Sequence, residues 1–312
     1  GTPVPGPLTG YVISVVKPES WTSHDAVQRV RRLLDERRVG HTGTLDPFAT
    51  GLLLCCVGRA TKLANYLMDF TKEYEGTMLF GVHTSTGDIA GEVLEDRELP
   101  APALERLVEM TGEFLGEIEQ VPPMVSALKH EGRRLYQLAR RGITVEHRPR
   151  RVRVESFEIL GRDGRRVRFR VRCARGTYVR TLIEDFGTRL GAASCVEALC
   201  RTRVGPFDLE GAVDLARAET GDELRSRAVS MAEALGNLPA WRIPSFWVRK
   251  LRDGHTPPWA VIEMDREPRE GEVGRLLGGE GDLVALARAV PIAGVLDRPW
   301  HDALGLELLR VI

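Results

Sequence analysis

The stretch Val39-Gly40-His41-Thr42-Gly43-Thr44-Leu45-Asp46-Pro47-Phe48-Ala49-Thr50-Gly51 constrains this chain more than any other. Gly40, Gly43 and Gly51 permit backbone conformations that a Cβ resists. Pro47 fixes φ and removes a donor directly after Asp46. The apolar run Gly51-Leu-Leu-Leu-Cys-Cys-Val57 follows at once and reads as a buried strand. Asp46 is therefore expected in a tight turn at the mouth of a core strand, where its carboxylate is positioned and not free to wander. An aspartate before proline can also do no more than close an Asx turn, and the local pattern leaves both readings open.

Around that turn the sequence alternates strand and helix signals. Residues 11–16 read as a strand ended by Lys17-Pro18. Thr22 or Ser23 can cap a helix over about 24–38, with Ala26, Val27, Val30, Leu33 and Leu34 on one face. A helix is expected from Gly58 to about Leu67, then a strand running to Phe80 that carries Tyr74. Residues 101–115 are expected to form an amphipathic helix with Leu104, Leu107, Val108, Met110 and Phe114 as its apolar set. Pro122-Pro123 breaks regular structure before an arginine-rich stretch, 130–150. Strands are expected over 151–160 and 165–173. In the second, Val167, Phe169, Val171 and Cys173 face one way and Arg166, Arg168, Arg170 and Arg172 the other. Such a basic face suits phosphates, and it also protects a sheet edge. Residues 239–244, with a proline at each end, are expected to be a linker.

At 312 residues the chain can form two domains. Its net charge of +0 hides an asymmetry. Residues 1–128 carry 11 basic and 18 acidic side chains, residues 129–203 carry 20 and 8, and residues 204–312 carry 13 and 18. So basic a middle third suggests a surface made for a polyanion. No apolar run approaches the roughly 20 residues that span a bilayer, and the N-terminal residues lack a basic flank and apolar core, so no signal peptide is expected. The 5 cysteines include no CxxC pair. Reduced, mostly buried thiols in a cytoplasmic protein without a metal are expected.

Gly40-His-Thr-Gly-Thr-Leu-Asp-Pro-x-Ala-x-Gly51 resembles the signature of the TruB family of bacterial tRNA pseudouridine synthases. Lys17-Pro-x-x-x-Thr-Ser-His-Asp25, Lys72-x-Tyr74, Gly176-Thr-Tyr-x-Arg180 and Leu199-Cys-Arg-Thr-Arg-Val-Gly205 are similar to its other motifs, and Pro122-Pro123 followed by Ser-Ala-Leu-Lys129 to its insertion. Two positions depart from the pattern: Ser20 stands where glycine is usual, and Ser85 where aspartate is more frequent. The resemblance covers about residues 10–240 firmly and the tail only by position.

The resemblance implies an α+β fold, a mixed, mostly antiparallel sheet flanked by helices. A catalytic domain over 1–240, with a tRNA-binding insertion at about 120–150, would precede a small β-rich PUA-like domain over 245–312. Asp46 matches the catalytic aspartate, Arg180 the arginine that pairs with it, and Tyr74 the tyrosine that stacks on the extruded uracil. His41, Tyr178 and Leu199 match residues around the flipped base. Lys17 and Lys129 are substrate-binding candidates by the same resemblance, Lys17 chiefly as a support of the structure near Asp46 and Lys129 within the insertion that closes over the T-arm. The implied activity is isomerisation of uridine 55 in the T-arm of tRNA, without cofactor, metal, guide RNA or protein partner, by a monomer. A non-catalytic RNA-binding or tRNA-folding protein on the same scaffold is the alternative, and a metabolic enzyme using Asp46 on a small substrate a more distant one. Asp46 could attack C1′ or remove the C2′ proton.

Overall fold

The computed structural model describes residues 10–123, 129–130, 133–134, 148–292 and 299–312. The described residues open with β1 (Tyr11–Lys17) and α1 (Ser23–Leu34). Thr22 caps α1: its hydroxyl accepts from the Asp25 N–H, and the Asp25 carboxylate accepts from the Thr22 N–H. This reciprocal box satisfies two otherwise orphaned donors. Ala26, Val27, Val30 and Leu34 are buried as expected. Next come β2 (Val39–His41) and β3 (Thr50–Val57), buried along nearly all its length. A 3₁₀ turn, Gly58–Leu63, leads into the short α2 (Ala64–Met68).

β4 (Lys72–Phe80) carries Tyr74, and β5 (Val82–Thr84) with β6 (Val93–Asp96) forms a small hairpin. α3 (Leu104–Thr111) buries Leu107 and Met110, with Phe114 following in a 3₁₀ turn. Leu104 and Val108, expected on its apolar face, are exposed instead. The helix is one-sided, packing against β10 along a narrower stripe than its sequence offers. β7 (Gly116–Gln120) precedes the minimal hairpin of β8 (Lys129–His130) and β9 (Arg133–Arg134). The rest of the arginine-rich stretch at 135–147, including Tyr136 and Leu138, lies outside the described residues.

β10 (Arg150–Asp163) and β11 (Arg166–Cys173) pair antiparallel. Val167, Phe169, Val171 and Cys173 are buried while the arginines between them face outward, as the alternation predicts. α4 (Val179–Arg189) then packs on β12 (Ser194–Val204). Short strands β13 (Phe207–Asp208), β14 (Val213–Asp214) and β15 (Val229–Ser230) complete the body.

The main sheet runs β14-β1-β3-β12-β4-β11-β10-β7. Its pairings are antiparallel except β1 with β14 and β3 with β12. It is a mixed, mostly antiparallel sheet flanked by helices. The parallel β3–β12 contact matters most for the site, because it brings residues 50–51 beside residues 200–201. Cys55, Cys56, Cys173 and Cys195 are buried free thiols, and burial pushes Cys56, Cys173 and Cys195 up to about 12.

A second sheet has the order β16 (Ala240–Arg242), β17 (Val273–Leu277), β18 (Leu283–Pro291), β19 (Leu304–Val311). β16 lies inside the stretch expected to be a linker; its three residues pair parallel with β17. The two prolines flank the strand without interrupting it. Leu277, Leu283, Leu286 and Ile312 share a core with Val12, Leu52, Leu54 and Leu63, so the second sheet is seated on the first. Among the described residues no helix is long and apolar enough to cross a membrane.

Candidate active site

The turn between β2 and β3 is held from four directions. Ser23, at the start of α1, is buried; its hydroxyl donates to the Leu45 carbonyl at 3.1 Å and accepts from the Leu45 N–H at 2.9 Å. Lys17, at the end of β1, has no exposed surface. Its ammonium donates to the carbonyls of Pro18 at 2.8 Å, Trp21 at 2.7 Å and Pro47 at 3.4 Å. The Ser20 N–H donates to the same Pro47 carbonyl at 2.7 Å. Arg201, on β12, donates from Nη2 to the Gly43 carbonyl at 2.9 Å and from Nε to the Leu52 carbonyl at 2.8 Å. Ser20 sits at φ 72°, the left-handed region that glycine enters freely and serine at a cost. The substituted position therefore keeps the turn and carries strain to do so.

Asp46 projects from this turn. An Ala49 N–H to Asp46 carbonyl bond of 2.9 Å closes the backbone beneath it. Arg180, in the first turn of α4, reaches the carboxylate with Nε 3.0 Å from Oδ2 and Nη2 3.5 Å from Oδ1. The same guanidinium donates from Nη1 to the Thr86 carbonyl at 3.0 Å and lies 3.9 Å from the buried Asp88 carboxylate. Arg180 is 5% exposed and Asp46 36%. The cation is thus fixed inside the protein while the anion keeps part of its surface exposed. Burial pushes the Asp46 carboxyl up from its ordinary value, Arg180 pulls it back, and Asp88 pushes it up again. A planar fork on a carboxylate sets its orientation as well as its charge.

Tyr74 lies on β4, opposite Val171 of β11 on one side and Arg201 of β12 on the other. Burial raises the Tyr74 phenol above its ordinary value, and the positive charge of Arg201 pulls it back. Leu199 is two residues before Arg201 on β12, 7% exposed and packed in one core cluster with Tyr74. Tyr178 caps α4 two residues before Arg180. Its N–H donates to Gln120 Oε1 at 2.9 Å, and Gln120 Nε2 donates to its carbonyl at 3.1 Å. His41 closes β2, half-buried and paired with Cys55. Lys129 has its backbone in β8, and its side chain lies outside the described residues.

The structure thus joins Asp46 directly to Arg180 and puts Lys17 and Arg201 behind the turn that carries Asp46. Sequence reasoning places neither Arg201 nor Gln120 at the site, and gives Ser23 only as a possible helix cap, a role that Thr22 takes instead. Arg201 stands within a quoted motif, but nothing local distinguishes it from the exposed arginines nearby. Among the described residues no group of three His, Cys, Asp or Glu side chains is placed to hold a metal ion.

A family model described as TruB family pseudouridylate synthase (N terminal domain) matches residues 31–179. A "tRNA pseudouridine synthase B" from Bordetella avium is 44% identical over 241 residues, 77% of this chain and 97% of the relative. One from Pelotomaculum thermopropionicum is 38% identical over 289 residues, 89% of this chain and 90% of the relative. Among solved structures, a Cbf5-Nop10-Gar1 complex superimposes with a TM-score of 0.73 and 26% identity over 96% of this chain and 83% of that one. An H/ACA RNP bound to a substrate RNA containing 2′-deoxyuridine does so with a TM-score of 0.72 and 25% identity, over 96% and 84%.

Proposed function

The chain belongs to the TruB family of pseudouridylate synthases, and from that premise we propose that its target is uridine 55 in the T-arm of tRNA. It is an isomerase that converts a tRNA uridine to pseudouridine. The N1–C1′ bond breaks, the uracil turns, C5 bonds to C1′, and the C5 proton leaves while N1 gains one.

The observation that carries the site assignment is the Asp46 carboxylate held at 3.0 Å by a buried arginine and facing outward. Charge builds at C1′ as the glycosidic bond breaks, and a fixed carboxylate in a water-poor recess stabilises it. Asp46 acts there, by attack on C1′ or by removing the C2′ proton. Arg180 orients it and keeps it ionised. Tyr74 stacks on the detached uracil so that the ring can turn without escaping, and its hydroxyl serves the C5 proton. Tyr178 and Leu199 line the base pocket, and the packing of Leu199 with Tyr74 supports that role. His41 fills the space the uridine leaves in the RNA, offsetting a flipping cost of a few kcal/mol. Lys129 and its arginine-rich surroundings contact the T-arm backbone. The burial of Lys17 against three carbonyls favours support of the Asp46 turn over contact with substrate.

The second sheet, from Ala240 onward, serves as a PUA-like RNA-binding domain. The enzyme works as a cytoplasmic monomer without guide RNA, as the Pro122-Pro123 insertion motif suggests. Tritium release from tRNA transcripts labelled at uridine C5 tests target and chemistry together. Release of one equivalent, lost in Asp46→Asn and lost when the T-loop uridine is replaced, is the expected result. Release that persists after replacing that uridine rules out the T-arm target, and release that persists in Asp46→Asn rules out the catalytic assignment.

A further inference from the structure

The direction in which the Asp46 carboxylate leaves its turn depends on the two peptide planes that flank its Cα, because each plane is rigid and only the two dihedrals between them are soft. The downstream plane is held by backbone. The Ala49 N–H donates to the Asp46 carbonyl at 2.9 Å, and proline at position 47 confines the residue before it to extended conformations. The upstream plane carries the Leu45 carbonyl, and its partner is a side chain. Ser23, the first residue of α1, is 4% exposed. A hydroxyl has one proton to donate and lone pairs with which to accept. Ser23 uses both on Leu45, donating to the carbonyl at 3.1 Å and accepting from the N–H at 2.9 Å. Leu45 has no other partner among the described hydrogen bonds, and its side chain is buried. Ser23 itself stands on a fixed base. The reciprocal Thr22–Asp25 box closes the helix start beside it, and Ala26, Val27 and Val30 hold α1 in the core.

We propose that Ser23 is a positioning residue for the isomerisation: its hydroxyl locks the Leu45–Asp46 peptide plane to the start of α1 and so sets the angle at which the Asp46 carboxylate meets Arg180. This rests on the assignment of Asp46 to the chemistry. Ser23 acts through the backbone before Asp46 and not on the RNA. Without the hydroxyl both Leu45 groups lose their partner, the plane turns, and the carboxylate swings off the Arg180 fork. The charged groups that face Asp46 are Arg180 on α4, Asp88 after β5, Lys17 on β1 and Arg201 on β12. Arg180 is the one bonded to the carboxylate, so a changed angle is felt first in that pair.

Ser23→Ala and Thr22→Ala, compared by single-turnover tritium release from a T-arm transcript, separate this from a bulk structural role. Both weaken the start of α1, but only the first frees the Leu45–Asp46 plane. Ser23→Ala is expected to slow turnover at saturating RNA by ~10- to 100-fold, with the RNA concentration for half-maximal rate within about 2-fold of wild type, since positioning acts on the bound complex. Thr22→Ala should stay within about 2-fold of the wild-type rate. A carboxylate turned from Arg180 loses the cation that favours its ionised form, so the acid limb of the rate should move up in Ser23→Ala and stay in place in Thr22→Ala. Equal slowing in the two variants, a loss confined to RNA affinity, or an unmoved acid limb overturns the proposal. Wild-type turnover in Ser23→Ala while Asp46→Asn is inactive overturns this inference alone; turnover that persists in Asp46→Asn overturns the assignment of Asp46 first and this inference with it. Should Ser23→Ala not fold, Ser23→Cys, which keeps a weaker donor and acceptor, decides by the same split: slowed turnover with unchanged half-saturation supports the proposal, and the wild-type rate refutes it.

Discussion

Replacing Gly51 with alanine tests how the fold places the chemistry. Gly51 begins the body of β3 between two strands, paired with Lys17 of β1 and with Arg201 of β12. Its φ is 108°, and a Cβ there would stand 2.3 Å from the Arg201 carbonyl oxygen and 2.7 Å from the Arg201 nitrogen. Both are backbone atoms and cannot rotate away. An ordinary C···O contact is about 3.3 Å, so β12 must retreat by about 1 Å at Arg201. The backbone strain costs about 1–3 kcal/mol, and the forced separation of packed strands costs about as much again. A loss of about 2–6 kcal/mol is a large part of the 5–15 kcal/mol typical of a folded domain. The same retreat draws Arg201 off the Gly43 carbonyl that it holds in the Asp46 turn. Misplacement by about 1 Å costs on the order of 100-fold in rate. Urea unfolding and single-turnover tritium release on the refolded variant measure the two effects separately. A variant within about 0.5 kcal/mol of wild-type stability that also turns over at the wild-type rate would show that β12 does not set the turn, and the reasoning fails.

Two further outcomes follow from the buried charges. Lys17→Met keeps the volume but removes three donors to carbonyls; a loss of about 2–4 kcal/mol at pH 7 is expected, with slower turnover and little change in RNA affinity. Burial holds Lys17 down to about 8 against an ordinary 10.5, so the unfolded chain binds a proton the native state lacks between those values. The stability advantage of wild type over the variant should therefore grow from pH 8 to 10.5 and fall back as pH drops through 8; a flat difference in urea titrations speaks against a neutralisable buried lysine. For Asp46, whose carboxyl is raised by burial above 3.8, the active ionised form is lost on acidification sooner than for an exposed aspartate. The acid limb of the single-turnover rate should lie above 3.8, and a limb at or below that value in folded enzyme contradicts the dominance of burial over the Arg180 charge at this carboxylate.

Much of the site could be read from the chain because its chemistry is concentrated in one turn. Glycines and a proline around Asp46, followed by an apolar run, gave both the turn and the buried strand. The Arg166–Arg172 alternation likewise gave the two faces of β11, since a strand's period depends only on its own residues. What could not be read depends on which strands become neighbours. Arg201 looks like one more arginine in Arg201-Thr-Arg203, and only the β3–β12 and β4–β12 registers turn it inward beneath Gly51 and beside Tyr74. Gln120 is distinguished only by the arrival of the Tyr178 backbone 58 residues later. Leu104 and Val108 fit the helical stripe, but their burial needs a partner surface that the described residues do not provide.

The charge pattern shows the same dependence on tertiary neighbours. Along the sequence, an acidic first third and a basic middle third look like separate electrostatic regions. In space the first third's carboxylates lie against the middle third's arginines: Asp69 on Arg175 at 2.8 Å, Glu75 on Arg170 at 2.7 Å, Asp96 on Arg165 at 2.6 Å, and Glu113 on Arg189. Arg170 is also 3.3 Å from Glu73 and 3.2 Å from Glu158, and Arg166 is paired with Glu197 at 2.9 Å. The outward face of β11 is therefore not the uniformly basic surface that its alternating arginines suggest. Beyond about 10 Å, paired charges of opposite sign are hardly felt. Arg168 and Arg172 are exposed on that face, with no carboxylate within 4.0 Å among the described residues. A polyanion approaching β11 thus meets separate unpaired cations among neutralised ones.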